Sequence, residues 1–297
     1  MLVEVHAVGL NPVDYKTTTG GNSNWSYPHI PGLDVAGIVA EIGEGVTQWK
    51  KGDRVVYHGD LTKKDGYAEY SVTPAHTVSR IPDGVTFEDS AALPTAGYTA
   101  YQLLFRKLPM DQVETILIHG GAGGVGGFAV QLAKHAGKKV ISTASSHNHK
   151  YVKSFGADYV IDYHQEDVTK RVMGITDGHG VDAVVDVLSR QSATDSLDTL
   201  AFLGQIVFIS GAPDFTKIKP FTKSVSYHEI ALGAAHQSGS YKAQQDLGVM
   251  GDEMLKLVVE GKVSSMLKEV ISLEEVPEAF FRLSERHVKG KIVAKIK

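Results

Sequence analysis

Residues 115–127, Thr-Ile-Leu-Ile-His-Gly-Gly-Ala-Gly-Gly-Val-Gly-Gly, decide the fold of this chain. The apolar run Ile116–Ile118 predicts a strand, the glycines a turn, and Phe128-Ala-Val-Gln-Leu-Ala-Lys-His-Ala a helix that stops at Gly137. Within the turn, Gly121, Gly123 and Gly126 match G-x-G-x-x-G in the strand–turn–helix setting that a dinucleotide site requires. One glycine permits the tight turn, one lets backbone N–H groups approach a pyrophosphate, and one lets the helix sit close to the strand. Bound phosphates would lie on the helix N-terminus, at Gly124, Val125 and Gly126, where free N–H groups and the macrodipole favour negative charge. The competing reading is a purely structural glycine turn.

The alternation continues outward from this unit. Short apolar strands are predicted at Ile116–His119, Lys139–Thr143, Tyr159–Ile161, Val181–Val187, Gln205–Ser210 and Ile230–Leu232, with helices between them near Gly127–His135, Lys150–Phe155, Thr169–Met173 and Ala193–Leu200. Strand-then-helix alternation predicts a parallel sheet covered on both faces, and six strands match a full doubly wound fold. The first ninety residues differ. Strands at Leu2–Val8, Val35–Ile42, Arg54–Tyr57 and Ala68–Val72 are broken by Pro and Gly, which predicts a mostly antiparallel β domain with long loops. That style returns near the end, with a strand at Glu269–Ile271, a helix from Val276 to Leu283 and a strand at Lys291–Ile296. The expected architecture is α/β: a Rossmann domain over 94–262 inserted into a discontinuous β domain of 1–93 and 263–297.

Composition limits the function classes. The chain has 297 residues, 42% hydrophobic and 22% charged, which suits two globular domains. No apolar run is long enough to span a bilayer, and a formal charge of −4 gives no reason to expect a nucleic-acid partner. Cysteine is absent, so disulfides, thiolate nucleophiles and cysteine-ligated zinc are excluded, and a cytoplasmic location is expected.

Several segments together carry a resemblance: Gly9-Leu-Asn-Pro-Val-Asp14, Pro31-Gly-Leu-Asp-Val-Ala-Gly-Ile-Val39, Lys51-Gly-Asp-Arg-Val55, Leu93-Pro-Thr-Ala-Gly-Tyr-Thr-Ala100, His119 to Gly126, Gly156-Ala-Asp-Tyr-Val-Ile-Asp-Tyr163 and Gly290-Lys-Ile-Val293. The sequence resembles the zinc-independent medium-chain dehydrogenases/reductases, specifically the quinone oxidoreductases related to zeta-crystallin, with a GroES-like β domain. Zinc-dependent relatives place a cysteine where this chain has Asn11 and a His-Glu pair where it has Leu33-Asp34, so no catalytic zinc is expected. The resemblance also implies about thirty residues ahead of the strand that begins at Leu2. Without them that strand is expected to present an unpaired edge over a partly uncovered core.

The loop after the second strand of the alternation selects between nicotinamide cofactors, and NAD sites place an acidic residue there about twenty positions past the glycines. Here it reads Thr143-Ala-Ser-Ser-His-Asn-His-Lys150, without a carboxylate. Ser145, Ser146, His149 and Lys150 would welcome a 2′-phosphate, so NADPH is expected over NADH; an ordinary polar loop is the alternative. The resemblance adds Tyr163 beside the same phosphate. His147 and His149 form an H-x-H pair without further ligands, better read as a solvated loop.

For the nicotinamide end, the resemblance points to Asn11, Thr99, Ser210, Gly211 and the backbone at Gly233, Ala234 and Ala235, with Leu188 and Ser189 in the same cleft. Asp14 is read as ordering the Asn-Pro loop, and Tyr15 and Tyr27 as walls of an aromatic substrate pocket or as packing. The implied activity is NADPH-dependent, zinc-independent hydride transfer to a quinone. The alternatives are a 2-enone or alkenal reductase and an NADPH-binding protein with little turnover, with a zinc alcohol dehydrogenase less favoured. A homodimer joined near Val225–Leu232 is expected from the resemblance, with no membrane partner.

Overall fold

The structure, a computed structural model, describes residues 1–285 and 288–297. Its strands are β1 (Leu2–Gly9), β2 (Asp34–Glu41), β3 (Arg54–His58), β4 (Tyr70–Val72), β5 (Val78–Arg80), β6 (Thr115–Ile118), β7 (Lys139–Thr143), β8 (Tyr159–Ile161), β9 (Val181–Asp186), β10 (Leu200–Phe208), β11 (Ser226–Glu229), β12 (Leu267–Ser272) and β13 (Lys291–Lys295). The principal helices are α1 (Pro12–Gly20), α2 (Phe87–Ala91), α3 (Thr99–Gln102), α4 (Gly124–His135), α5 (His149–Ser154), α6 (Val168–Ile175), α7 (Arg190–Ser196), α8 (Tyr241–Val259) and α9 (Val276–Ser284). Among the described residues no helix is long and apolar enough to cross a membrane.

The chain divides into one unit of Met1–Tyr98 with Leu232–Lys297 and a second of Thr99–Ala231. In the second, six parallel strands run in the order β11-β10-β9-β6-β7-β8. Counted from β6, that is the doubly wound order, with its switch point between β6 and β9. Continuous apolar stretches such as Ile116–Ile118 in β6 and Ala183–Val185 in β9 are buried because helices cover both faces of such a sheet. One core face gathers Leu117, Ile141, Val184, Leu197, Ile206 and Phe208.

The first unit holds a seven-stranded sheet ordered β12-β13-β1-β2-β3-β5, with β4 pairing on β1. All its pairings are antiparallel except β12 with β13. Val3, Val5, Val35, Val39, Val55 and Tyr57 form one core, and Leu10, Ile271, Val276, Ala279 and Ile292 another.

Four expectations are corrected. β1 is no open edge: β2 lies along one side, while β4 takes Leu2–Glu4 and β13 takes Ala7–Gly9 on the other. The last parallel strand is Ser226–Glu229 rather than Ile230–Leu232, because it lies at the end of the sheet and carries half-exposed polar residues in place of an apolar run. β5 is a strand where none is expected, since three residues are too short to show a period. The unit boundaries fall at 98/99 and 231/232 rather than 93/94 and 262/263, because α8 packs on β5 within the first unit.

Candidate functional site

The glycine turn divides its work unequally. Gly120, outside the matched spacing, takes the left-handed conformation at φ 68°. A Cβ on Gly121 would stand 2.2 Å from Ser142 Oγ, and one on Gly126 2.2 Å from the Gly120 carbonyl oxygen. These two glycines therefore allow close packing of turn on strand and helix on turn. Gly123 is different: its Cβ would meet only Gly120 O, at 3.4 Å, leaving an accessible N-cap whose backbone a ligand can approach. The Gly124, Val125 and Gly126 N–H groups open α4 with no earlier helical carbonyl to accept them.

Buried polar groups beneath the turn hold it. Gly120 N donates to Thr143 Oγ1 at 3.2 Å, and Gly121 N to the Thr143 carbonyl at 3.1 Å. Ser196 Oγ donates to the Ser192 carbonyl at 2.7 Å, so His119 Nε2–H donates to Ser196 Oγ at 2.8 Å. His119 Nδ1 then accepts from the Thr143 hydroxyl at 3.2 Å. Burial lowers the His119 pKa, which keeps this neutral tautomer.

At the carboxyl end of β9, Asp186 Oδ1 accepts from Leu188 N at 3.0 Å and Ser189 N at 3.3 Å, and its Oδ2 from Ser192 Oγ at 2.5 Å. Leu188 is exposed, and its side chain approaches Gly120 across the switch point. Ser189 caps α7 by accepting from Ser192 N, and Ser210 Oγ donates to the Val187 carbonyl at 3.1 Å. Gly211 has φ 128°, and a Cβ there would stand 3.1 Å from Arg190 Cβ. The structure thus gathers the glycine turn, Leu188, Ser189, Ser210 and Gly211 at one end of the sheet; Thr99 is buried in α3 of the same unit.

The loop after β7 is held by a group that sequence reasoning missed. Asp162, directly after β8, accepts the Ser146 hydroxyl on Oδ2 and His164 N on Oδ1 at 3.0 Å. His149 Nε2 donates to the Ala144 carbonyl at 3.1 Å, Ser145 Oγ accepts from Asn148 Nδ2 at 3.2 Å, and Lys150 and Tyr163 are exposed. The loop carries no acid of its own, but the neighbouring strand supplies one. The only hint was adjacency of the second and third strands, which puts their ends side by side.

Asn11, Asp14, Tyr15, Tyr27, Gly233 and Ala234 belong to the first unit. Asn11 Nδ2 donates to Asp34 Oδ2 at 2.8 Å, and Asn11 Oδ1 accepts from Lys291 Nζ at 2.5 Å. Asp34 Oδ1 accepts from Thr95 N at 2.8 Å and Thr95 Oγ1 at 2.5 Å, while Lys291 Nζ stands 3.6 Å from Asp34 Oδ2. Asp14 Oδ2 accepts from Asn11 N at 2.8 Å, the expected ordering of the Asn-Pro loop. Burial, reinforced by the Asp34 charge, pushes the Asp14 carboxyl up to about 8; the Tyr67 hydroxyl lies beside it. Burial lowers the Lys291 pKa against the pull of both carboxyls. Asn11 is therefore bound on every polar atom within a buried network, and Asp34 and Lys291 are members that sequence reasoning had not assigned.

Tyr15 is half-buried on α1, while Tyr27 is 71% exposed with its ring edge-on to Trp25 at 6.4 Å. Gly233 lies near His58, whose imidazole burial pushes down to about 4 and which faces His236 at 3.4 Å. Among the described residues no three His, Asp or Glu side chains stand together to hold a metal ion.

Comparison with known proteins gives consistent matches. The family model described as an alcohol dehydrogenase GroES-like domain matches residues 1–83, and that described as a zinc-binding dehydrogenase matches 124–247. A quinone oxidoreductase of Pseudomonas aeruginosa is 33% identical over 98% of this chain and 89% of its own length. Another, of Pongo abelii, is 32% identical over 74% of this chain, which spans 66% of that relative. The solved quinone oxidoreductase of Coxiella burnetii matches with TM-score 0.82 at 33% identity, covering 100% of this chain and 90% of that one.

Proposed function

Since the chain belongs to the medium-chain dehydrogenase/reductase family, as an oxidoreductase similar to its quinone oxidoreductases, we propose that it reduces quinones with NADPH and without zinc. The carrying observation is the glycine turn at the switch point, where Gly123 leaves the open N-terminus of α4 approachable. The cradle fits a pyrophosphate: Gly123 carries no side chain at the rim of the turn, and the Gly124, Val125 and Gly126 N–H groups at the helix start have no helical carbonyl to accept them. When bound, the cofactor supplies a hydride from its nicotinamide C4.

The chain's own residues bind and orient. Lys150, Ser145 and Tyr163 lie on the loop side where a 2′-phosphate is read, which supports NADPH. Leu188, Ser189, Ser210 and Gly211 line the carboxyl ends of β9 and β10, where such sheets bind ligands. Tyr27 offers an exposed ring for a planar acceptor. A quinone needs no Lewis acid to accept hydride, and solvent supplies the proton that completes the hydroquinone. That suits a chain without cysteine and with Asn11 and Asp34 already committed to each other.

The test follows the loss of reduced-nicotinamide absorbance with ortho-quinones, para-quinones and enones, using NADPH and NADH in parallel. NADPH-selective turnover with quinones is the expected result. Faster turnover with enones than with any quinone would assign the chain to enone or alkenal reduction. Tight NADPH binding without turnover would leave a cofactor-binding protein, and equal or better use of NADH would overturn the cofactor assignment.

A further inference from the structure

Asp162 directly follows β8 and is buried, at 5% exposure, with its carboxylate turned onto the loop that follows β7. The Ser146 hydroxyl proton is committed to Oδ2, and Ser146 Oγ itself accepts from Gln165 Nε2 at 3.1 Å. Ser146 thus has no proton left for a ligand. The second carboxylate oxygen accepts from His164 N at 3.0 Å, and Asp162 N donates to Glu166 Oε1 at 3.1 Å, so the carboxylate is fixed in place. The Ser146 hydrogen bond, together with that of His164 N, holds the carboxyl below its usual range and therefore ionised at neutral pH.

This arrangement stands where a doubly wound fold reads the ribose 2′ substituent, at the end of the second strand. A carboxylate there accepts from a ribose hydroxyl but opposes a phosphate of the same sign. The carboxylate found here comes from the third strand, one hydrogen bond away from the expected position.

We propose that Asp162 is the specificity-determining residue of the cofactor site: by holding the Ser146 hydroxyl and placing a carboxylate beside it, it limits the affinity for a 2′-phosphate and keeps NADH usable. This rests on the dinucleotide reading of the glycine turn. It also assigns Ser146 to Asp162 rather than to the phosphate. Asp162→Asn keeps the shape, removes the charge and offers an amide N–H in place of a repelling oxygen. Ser146→Ala removes the hydroxyl while leaving the carboxylate.

The experiment is calorimetric titration of the full chain and both variants with 2′,5′-ADP, 5′-AMP, NADPH and NADH. The adenosine pair isolates the phosphate, and a purely structural role of Asp162 would weaken both of its members alike. The expected result for D162N is a gain of about fivefold or more for 2′,5′-ADP over 5′-AMP, with NADPH following over NADH. S146A is expected to change the 2′,5′-ADP affinity by less than about twofold. An unchanged or lowered ratio in D162N, or a large loss of 2′,5′-ADP binding in S146A, would overturn the inference alone. Failure of the unaltered chain to bind any of the four probes would overturn the dinucleotide reading and this inference together.

Discussion

Lys291 reaches from the start of β13 to Asn11, 280 residues earlier in the chain, and to Asp34 at the start of β2. Its ammonium also donates to the Leu10 carbonyl at 3.1 Å, so one side chain ties three segments together inside the sheet. Removing one member of a buried ion pair leaves its partner charged without compensation, which costs about 3–5 kcal/mol. Lys291→Met should therefore lower the urea-unfolding free energy of the chain by that order, while the shape-matched stem keeps the packing. A loss below about 1 kcal/mol would show that Thr95 and Asn11 alone satisfy Asp34. Asn11 stood out through the family resemblance, and Asp14 through its place in the Asn-Pro loop. No such sign pointed to Lys291, because Gly290-Lys-Ile-Val293 reads simply as the entry to a strand. Partners this far apart are set by the sheet order, and no local period encodes that. Asp162 escaped notice for the same reason, its partner Ser146 lying on the adjacent strand's loop.

The strand–turn–helix element formed by β6, the glycine turn and α4 was legible almost entirely, because glycine spacing, apolar run and helical period agree within a short window. What spacing could not assign was the role of each glycine. Contact distances separate them. An alanine methyl at position 126 would press into the Gly120 carbonyl oxygen at 2.2 Å, a backbone atom that cannot turn aside, whereas one at 123 meets it at an ordinary 3.4 Å. Gly123 also has φ −82° and ψ 175°, which alanine adopts without strain. Gly126→Ala should thus cost about 1–3 kcal/mol of stability. Gly123→Ala should melt at or slightly above the temperature of the unaltered chain, yet lose about tenfold or more in NADPH affinity, because on the proposed reading its methyl would stand where the pyrophosphate approaches. Thermal unfolding and nucleotide titration of the two variants check this. Loss of stability in G123A, or retained affinity, would return the turn to a purely structural role. At the other end of the sheet the element reading failed by four residues: β11 presents Ser226, Tyr227, His228 and Glu229, and half-exposed end strands carry no apolar signature.

Across the whole molecule, the contrast between alternating strand–helix segments and Pro/Gly-broken strands placed the two units correctly in kind, but not the second crossing between them. Helix α8 has an apolar stripe that any sheet could bury. Its destination in the first unit is settled by close approaches: Ser79 Oγ donates to the Gly248 carbonyl at 2.7 Å, and a Cβ on Gly251 would stand 2.1 Å from Ser79 Oγ. The same unit buries titratable groups that oppose one another as pH changes. His58, held near 4, stays neutral in the fold while the unfolded chain takes up a proton below about 6.5, so its contribution falls away as pH drops from about 6.5 to about 4. Asp14 acts the other way. Its folded pKa near 8 lies above the ordinary carboxyl value of 3.8, so between these the fold binds a proton that the unfolded chain lacks, and stability declines as pH rises. The two slopes offset each other below about 6.5, and of the two only the Asp14 slope continues from there to about 8, in the same sense as that of the buried Asp65 carboxyl, which is also raised. Asp14→Asn removes that slope while its amide oxygen still accepts from Asn11 N. The unfolding free energy of D14N should therefore gain on the unaltered chain at up to about 1.4 kcal/mol per pH unit between pH 6.5 and 8, read by urea unfolding at several pH values. Parallel curves for the two proteins would mean that Asp14 is ionised in the fold, with the Lys291 ammonium and the Asn11 N–H outweighing its burial and the Asp34 charge.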